Sequence, residues 1–159
     1  MNDKSTARQH SDKNADDIDF GVLPDLLGYH LRRAQIVMFN DFVKAMADVQ
    51  ITPGQFGVIA IINSNPGLTQ SALARAVGIE RSTMVAVIDA LENRGLVERR
   101  PSPNDRRSYA LVLSDKGAKL HQDLEPLIDQ HEQRLSDDFS EEEKNQLIDL
   151  LSRIANGSR

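Results

Sequence analysis

The chain has 159 residues, 40% of them apolar, with five Phe, two Tyr, no Trp and no Cys. That length suits one domain, or one domain plus an accessory element. The missing cysteines exclude disulfides, thiolate metal sites, thiol nucleophiles and thiol redox sensing.

The formal net charge of −5 looks unfavourable for a nucleic-acid partner, but it is unevenly spread. Residues 67–113 hold seven Arg, no Lys and five acids, a balance of about +2. Residues 114–159 hold six basic and eleven acidic residues, about −5. A phosphate backbone responds to local charge, so the middle of the chain suits DNA and the C-terminal end is expected to face away from it. No apolar run approaches the roughly 20 residues of a membrane span. The first residues, Met1 to Asp17, lack the apolar core of a signal peptide. The expected setting is cytoplasmic, with no membrane contact.

In chain order, residues 1–19 are polar and aperiodic, and are expected to form a disordered arm. A helix is predicted from about Leu23 to Ala47, because Leu27, Leu31, Ala34, Val37, Met38, Phe42 and Met46 recur at spacings of three and four. Pro24 stands near its start, where proline is tolerated. Thr52, Pro53 and Gln55 supply an N-cap, a first helical residue and a capping box for a second helix. Phe56, Val58, Ile59, Ile61 and Ile62 make that helix almost wholly apolar and therefore central. The run Asn63 to Gly67 ends it.

Thr69 then caps a short helix reaching Ala76, and Gly78 supplies a turn. A further helix is predicted from about Glu80 to Arg94, with Gly95 as its left-handed terminus. Leu96–Arg100 and Tyr109–Leu113 read as two short strands around Pro101–Ser108. Ser114 can cap a long helix to about Asp137, in which Pro126 predicts a kink or break. Ser140 with Glu143 forms another capping box, opening a last helix whose apolar stripe is Leu147, Leu150, Leu151 and Ile154. The expected fold is mainly α with a small β-hairpin: a winged helix-turn-helix at 53–113, flanked by helices at 20–49 and 114–159 within a single domain spanning 20–159.

In the helix from Glu80, Met84, Val87, Ile88 and Leu91 share one face, which must pack inward. Ser82, Val85, Ala86 and Asp89 lie opposite, with Arg81 and Thr83 near the start. A reading helix offers its N-terminal residues to base edges. Arg81 can bond two acceptors at once on guanine or phosphate. Ser82 and Thr83 can donate to phosphate or base, and Val85 and Ala86 offer apolar contact to thymine methyls. The bland alternative is an amphipathic helix with an ordinary solvated face. Against it stand the small, weakly charged outer face and the arginine-tipped hairpin that follows directly. In that hairpin Arg99, Arg100, Arg106 and Arg107 form either a solubilising cluster or a groove-reaching wing. Asp105, two residues from Arg107, favours the wing, because a braced guanidinium loses less entropy on entering a narrow minor groove.

These residues resemble the MarR family of winged helix-turn-helix regulators, over nearly the whole chain from about Leu26. Ile51-Thr52-Pro53-Gly54-Gln55-Phe56 is similar to the family's opening of its second helix, and Leu68-Thr69 with Leu73-Ala74 to its first helix-turn-helix element. Arg81-Ser82-Thr83, Asp89, Leu91-Glu92, Arg94-Gly95-Leu96-Val97 and Arg99 resemble its recognition helix running into the first strand. Asn104-Asp105-Arg106-Arg107, Leu111, Leu113-Ser114 and Gly117 resemble its wing. The resemblance implies a homodimer whose terminal helices interlock. It further implies binding to a near-palindromic double-stranded operator, and repression released by a small aromatic ligand held between the dimer helices and the winged domain. The candidate DNA-binding set is then Thr69, Gln70, Arg81, Ser82, Thr83, Val85, Ala86, Arg99, Asp105, Arg106 and Arg107. Many relatives carry a polar Thr-Arg pair where Val85-Ala86 stand here, so this chain is expected to lean on Arg81, the wing and DNA shape.

Tyr29, His30, Arg32 and Arg33 are unusual in a helix that mainly dimerises. They are candidates for an anionic aromatic effector or its CoA thioester, with Phe39 and Phe56 lining the pocket. The alternative pairs Arg32 and Arg33 with Asp25 or with acids of a partner chain, and leaves the phenylalanines to core packing. His121, Glu125 and Asp129 recur at spacings of four, but without Cys or a paired His motif a solvated acidic face explains them better than a metal. His131 lies off that face. No cofactor is expected, and nothing supports an enzyme: the His are scattered, and neither a Gly-rich phosphate loop nor a nucleophile elbow is present. A competing reading is a protein-interaction module whose winged helix no longer binds DNA.

Overall fold

A computed structural model of the chain describes residues 18–102 and 108–157. Most of the polar arm, and the wing residues Asp105, Arg106 and Arg107, lie outside the described residues. The chain divides into two units, one ending at Ile36 and the other beginning at Val37.

In the first unit a short 3-10 turn covers Leu23–Asp25, with Pro24 inside it. Leu26 is extended (φ −99°, ψ 125°), and only then does helix α1 (Leu27–Ala45) begin. The single helix expected from Leu23 is therefore interrupted. Its apolar period continues through Leu26, but one extended residue is enough to end a helical hydrogen-bond ladder.

The remaining elements follow the predicted order. Helix α2 (Pro53–Ser64) opens on a complete capping box, with the Thr52 side chain accepting from the Gln55 amide and the Gln55 side chain accepting from the Thr52 amide. Strand β1 (Leu68–Thr69) leads into α3 (Gln70–Val77), whose first turn is capped by Thr69 accepting from the Ala72 amide. Gly78 and Gly95, which bracket helix α4 (Arg81–Asn93), have φ of 76° and 69°. A side chain there would be strained, and glycine lets the chain turn sharply at both points. Strands β2 (Val97–Pro101) and β3 (Tyr109–Leu113) pair antiparallel from Val97 opposite Leu113 to Pro101 opposite Tyr109.

The hairpin gains a third strand that was not anticipated. β1 pairs with the far edge of β3, Leu68 opposite Leu111, giving the order β1-β3-β2. Two residues are too short to show the alternation that marks a strand, and their partner lies more than forty positions away. Pro126 does not break α5 (Asp115–Ser136). Its ring is exposed, while buried Leu124 and half-buried Leu127 and Ile128 anchor the helix to the core on either side. Helix α6 (Glu141–Gly157) opens on the expected box of Ser140 and Glu143 and buries none of its residues.

The core of the second unit brings together Ile59 and Ile62 of α2, Leu73 of α3, Met84, Ile88 and Leu91 of α4, Leu111 of β3 and Leu124 of α5. Each is essentially inaccessible, and full burial of such a side chain contributes about 1.5–3 kcal/mol. This shared core holds the inner face of α4 and leaves its other face at the surface.

Candidate DNA interface and its supports

Helix α4 meets the requirements of a groove-reading element at its N-terminal end. Arg81, Ser82, Thr83, Val85 and Ala86 are all exposed, while Met84 and Ile88 are buried behind them. Its first turn contains no acidic residue. The free amides there carry partial positive charge, which suits approach to a phosphate. The candidates on α4 thus share one exposed surface.

Thr69 and Gln70 are half-buried at the start of α3, and both already have local tasks. Thr69 caps α3, and the Gln70 Oε1 accepts from Arg99 Nη2 at 3.3 Å. Arg99, expected as a DNA-facing cation, lies at the middle of β2 with its charge already paired. Its side chain is only 19% exposed, and its guanidinium donates to Asp89 Oδ1 at 2.6 Å and to Glu92 Oε2. Burial works against the Arg99 charge, but the bond to Asp89 and the charge of Glu92 more than compensate, so its pKa is raised. The pattern of Asp89, Glu92 and Arg99 was visible in the sequence; its pairing was not, because it depends on how β2 returns past α4.

The neighbouring Arg100 behaves differently. It is 61% exposed and donates through Nε and Nη2 to Glu98 on its own strand, at 3.0 and 2.8 Å. Arg94, at the end of α4, reaches the loop between α1 and α2, donating to the carbonyls of Val49 and Gln50 at 2.8 Å each. These long-range bonds fix the rear of the helix against the body of the unit.

The candidate ligand residues divide between the units. In the first, Arg33 lies over the Tyr29 ring, 5.5 Å from its centroid, a cation–π geometry. His30 Nε2 lies 2.7 Å from the carbonyl of Pro24, and Arg32 donates to Gln35 at 3.3 Å. Neither arginine has a carboxylate partner among the described residues. In the second unit, Phe39 is exposed and Phe56 packs on Phe42, with ring centroids 6.2 Å apart.

His121 approaches Glu125 at 3.7 Å, and no cluster of three or more His, Cys, Asp or Glu among the described residues is arranged to hold a metal. No helix among them is long and apolar enough to cross a membrane. His131, which lies off the face of His121, Glu125 and Asp129, carries no signal in the sequence of the partners it meets. It is 3% exposed, bonded to Asp41 of α1 and packed edge-on against Phe42.

Comparison with known proteins places these features. The sequence model of the MarR family matches residues 51–109. A putative transcriptional regulatory protein for the hcr operon of Thauera aromatica is 38% identical over 152 residues, covering 92% of each chain. The solved structure of the transcriptional repressor CouR bound to a 23-mer DNA duplex superposes with a TM-score of 0.83 at 42% identity, covering 87% of this chain and 99% of that one. CouR bound to p-coumaroyl-CoA superposes with a TM-score of 0.81 at 39% identity, covering 87% and 98%.

Proposed function

Because the chain belongs to the MarR family, we propose that it is a dimeric, DNA-binding transcriptional repressor released from its operator by a small anionic effector. The observation that carries this reading is the first turn of α4. Arg81, Ser82 and Thr83 stand exposed on a helix whose opposite face is locked into the core, and arginine-bearing β2 follows directly. Arg81 supplies a bidentate donor for guanine or phosphate, Ser82 and Thr83 supply hydroxyls, and Val85 and Ala86 lie against thymine methyls. The family resemblance adds Asp105, Arg106 and Arg107 of the wing, which lie outside the described residues, as candidates for the neighbouring minor groove. Residues 53–113 form the reading part and residues 20–49 and 114–159 the dimerising part of one domain.

Exposed apolar side chains support the dimer. Leu27, Val37 and Phe39 of α1, and Leu147, Ile148 and Leu151 of α6, are each 40–63% exposed. A second copy would bury both surfaces by a symmetric contact.

The effector is a free aromatic acid or its CoA thioester. CouR, a relative of known structure, binds p-coumaroyl-CoA. In this chain Arg32 and Arg33 present two cations beside Tyr29, suited to carboxylate or phosphate groups and an aromatic face.

Fluorescence anisotropy on a labelled duplex carrying the DNA upstream of its own gene tests the reading. The wild type should bind with an affinity that falls steeply with salt, and Arg81→Ala should weaken binding by about 10- to 100-fold, corresponding to about 1–3 kcal/mol. Addition of p-coumaroyl-CoA should release the duplex, and the double substitution Arg32→Ala and Arg33→Ala should blunt that release more than it weakens DNA binding. Wild-type protein that shows no binding even at low salt would refute the function.

A further inference from the structure

The two helices and the wing strand of the winged module converge on one guanidinium. Arg99 of β2 bonds Asp89 and Glu92 of α4, and Gln70 at the first position of α3. Asp89 and Glu92 stand three residues apart on the reading helix, and their side chains are 51% and 39% exposed. Two exposed carboxylates on a helix that approaches phosphates would repel them. In this structure both are held by a cation that is itself largely covered.

We propose that Arg99 serves operator binding without touching DNA: it neutralises Asp89 and Glu92 and sets the angle of α4 against the wing strand. Arg99 is thus a positioning residue. The inference rests on the DNA-binding reading above, but it reverses the role that charge alone suggests for an arginine in this strand. Geometry separates this residue from Arg100 one position later, whose 61% exposed side chain pairs only within its own strand. Three of the five N–H donors of Arg99 are taken by Glu92, Asp89 and Gln70, and a side chain only 19% exposed leaves a phosphate little approach to the rest. Its planar fork is also what a lysine lacks, since one ammonium cannot hold both acids in the same geometry.

The experiment compares three proteins on the same labelled upstream duplex over a salt series, at a temperature where circular dichroism shows each fully folded. Arg99→Gln should weaken binding roughly 10- to 100-fold, because it bares two negative charges. The loss should shrink as salt screens the bared charges; with Asp89 and Glu92 also neutralised, the slope of log affinity against log salt should equal the wild-type value, since no phosphate contact is lost. The triple variant Arg99→Gln, Asp89→Asn and Glu92→Gln should recover most of that loss and bind only several-fold more weakly than wild type, because the charges that needed masking are gone and only the fork that sets α4 is missing. If instead the triple variant stays as weak as the single one and the slope falls by about one unit, Arg99 contacts phosphate and the proposal fails.

Arg99→Lys keeps a cation for DNA but cannot fork, and serves if Arg99→Gln does not fold. It should bind several-fold more weakly than wild type; wild-type affinity would overturn the proposal. A wild type without salt-sensitive binding would overturn the DNA-binding reading itself, and the assignment with it.

Discussion

His131 of α5 and Asp41 of α1 lie 2.6 Å apart, Nδ1 to Oδ2, although ninety residues separate them in the chain. Arg134, one turn beyond His131, donates to the same carboxylate through Nε at 3.1 Å and through Nη2 at 2.9 Å. The bond from Arg134, then that from His131, holds the Asp41 pKa at about 2, below its ordinary 3.8. An ionised carboxylate only accepts, so the proton of this pair resides on Nδ1.

This depressed pKa makes stability depend on acid. The folded form binds the Asp41 proton more weakly than the unfolded form does, so the contribution is fully present above about pH 4 and disappears as pH falls towards 2. Wild-type protein should therefore lose stability across that window more steeply than Asp41→Asn does. Urea midpoints at a series of pH values check this; equal slopes for the two proteins would count against the pair.

His131 itself fills space as well as bonding. Its ring meets that of Phe42 edge-on, with centroids 5.3 Å apart. His131→Ala should cost about 2–4 kcal/mol, from the cavity and from the lost bond to Asp41 together, with Arg134 still holding the carboxylate. His131→Asn retains a donor and should cost less. Chemical denaturation at neutral pH separates the two, and equal losses would leave only the packing contribution.

Gly117 supplies a second structural test. A methyl group there would sit inside van der Waals contact of the Leu96 carbonyl oxygen, a backbone atom that cannot swing away. Gly117→Ala should destabilise by about 3 kcal/mol, by forcing the start of α5 off the hairpin. Thermal melting measures it. An unchanged melting temperature would mean that the turn after β3 is looser than its geometry indicates.

The Thr52 capping box predicts a smaller effect. Thr52→Ala leaves the Gln55 amide without its acceptor and should cost about 1 kcal/mol. Thr52→Ser keeps the oxygen and should cost a few tenths at most. Identical denaturation midpoints for Thr52→Ala and wild type would remove the cap from the account of α2.

Arg107 tests the wing. Arg107→Ala should weaken duplex binding at least tenfold and leave the dimer intact in sedimentation. Its effect should survive neutralisation of Asp89 and Glu92, in contrast to that of Arg99. Wild-type affinity would remove Arg107 from the interface.

Local chemistry made much of this protein legible from its residues. Thr52, Thr69, Ser114 and Ser140 mark helix starts, because a side-chain oxygen three residues before a free amide can cap it whatever the rest of the chain does. Gly78 and Gly95 mark turns because few other residues tolerate positive φ. The inward face of α4 followed from a period of 3.6, so the outward candidates Arg81 to Ala86 could be named in advance.

Tertiary structure decided what depends on long-range return of the chain. Whether an arginine is free or spent cannot be read from its neighbours in sequence: Arg99 and Arg100 are adjacent, but alternation along β2 sends them to different partners. The pairing of β1 with β3, the burial of His131 and the hold of Arg94 on the α1–α2 loop likewise arise between segments forty to ninety positions apart. Hydrogen-bonding capacity belongs to each residue; which partner it meets is set by how the helices and the sheet close around their common core.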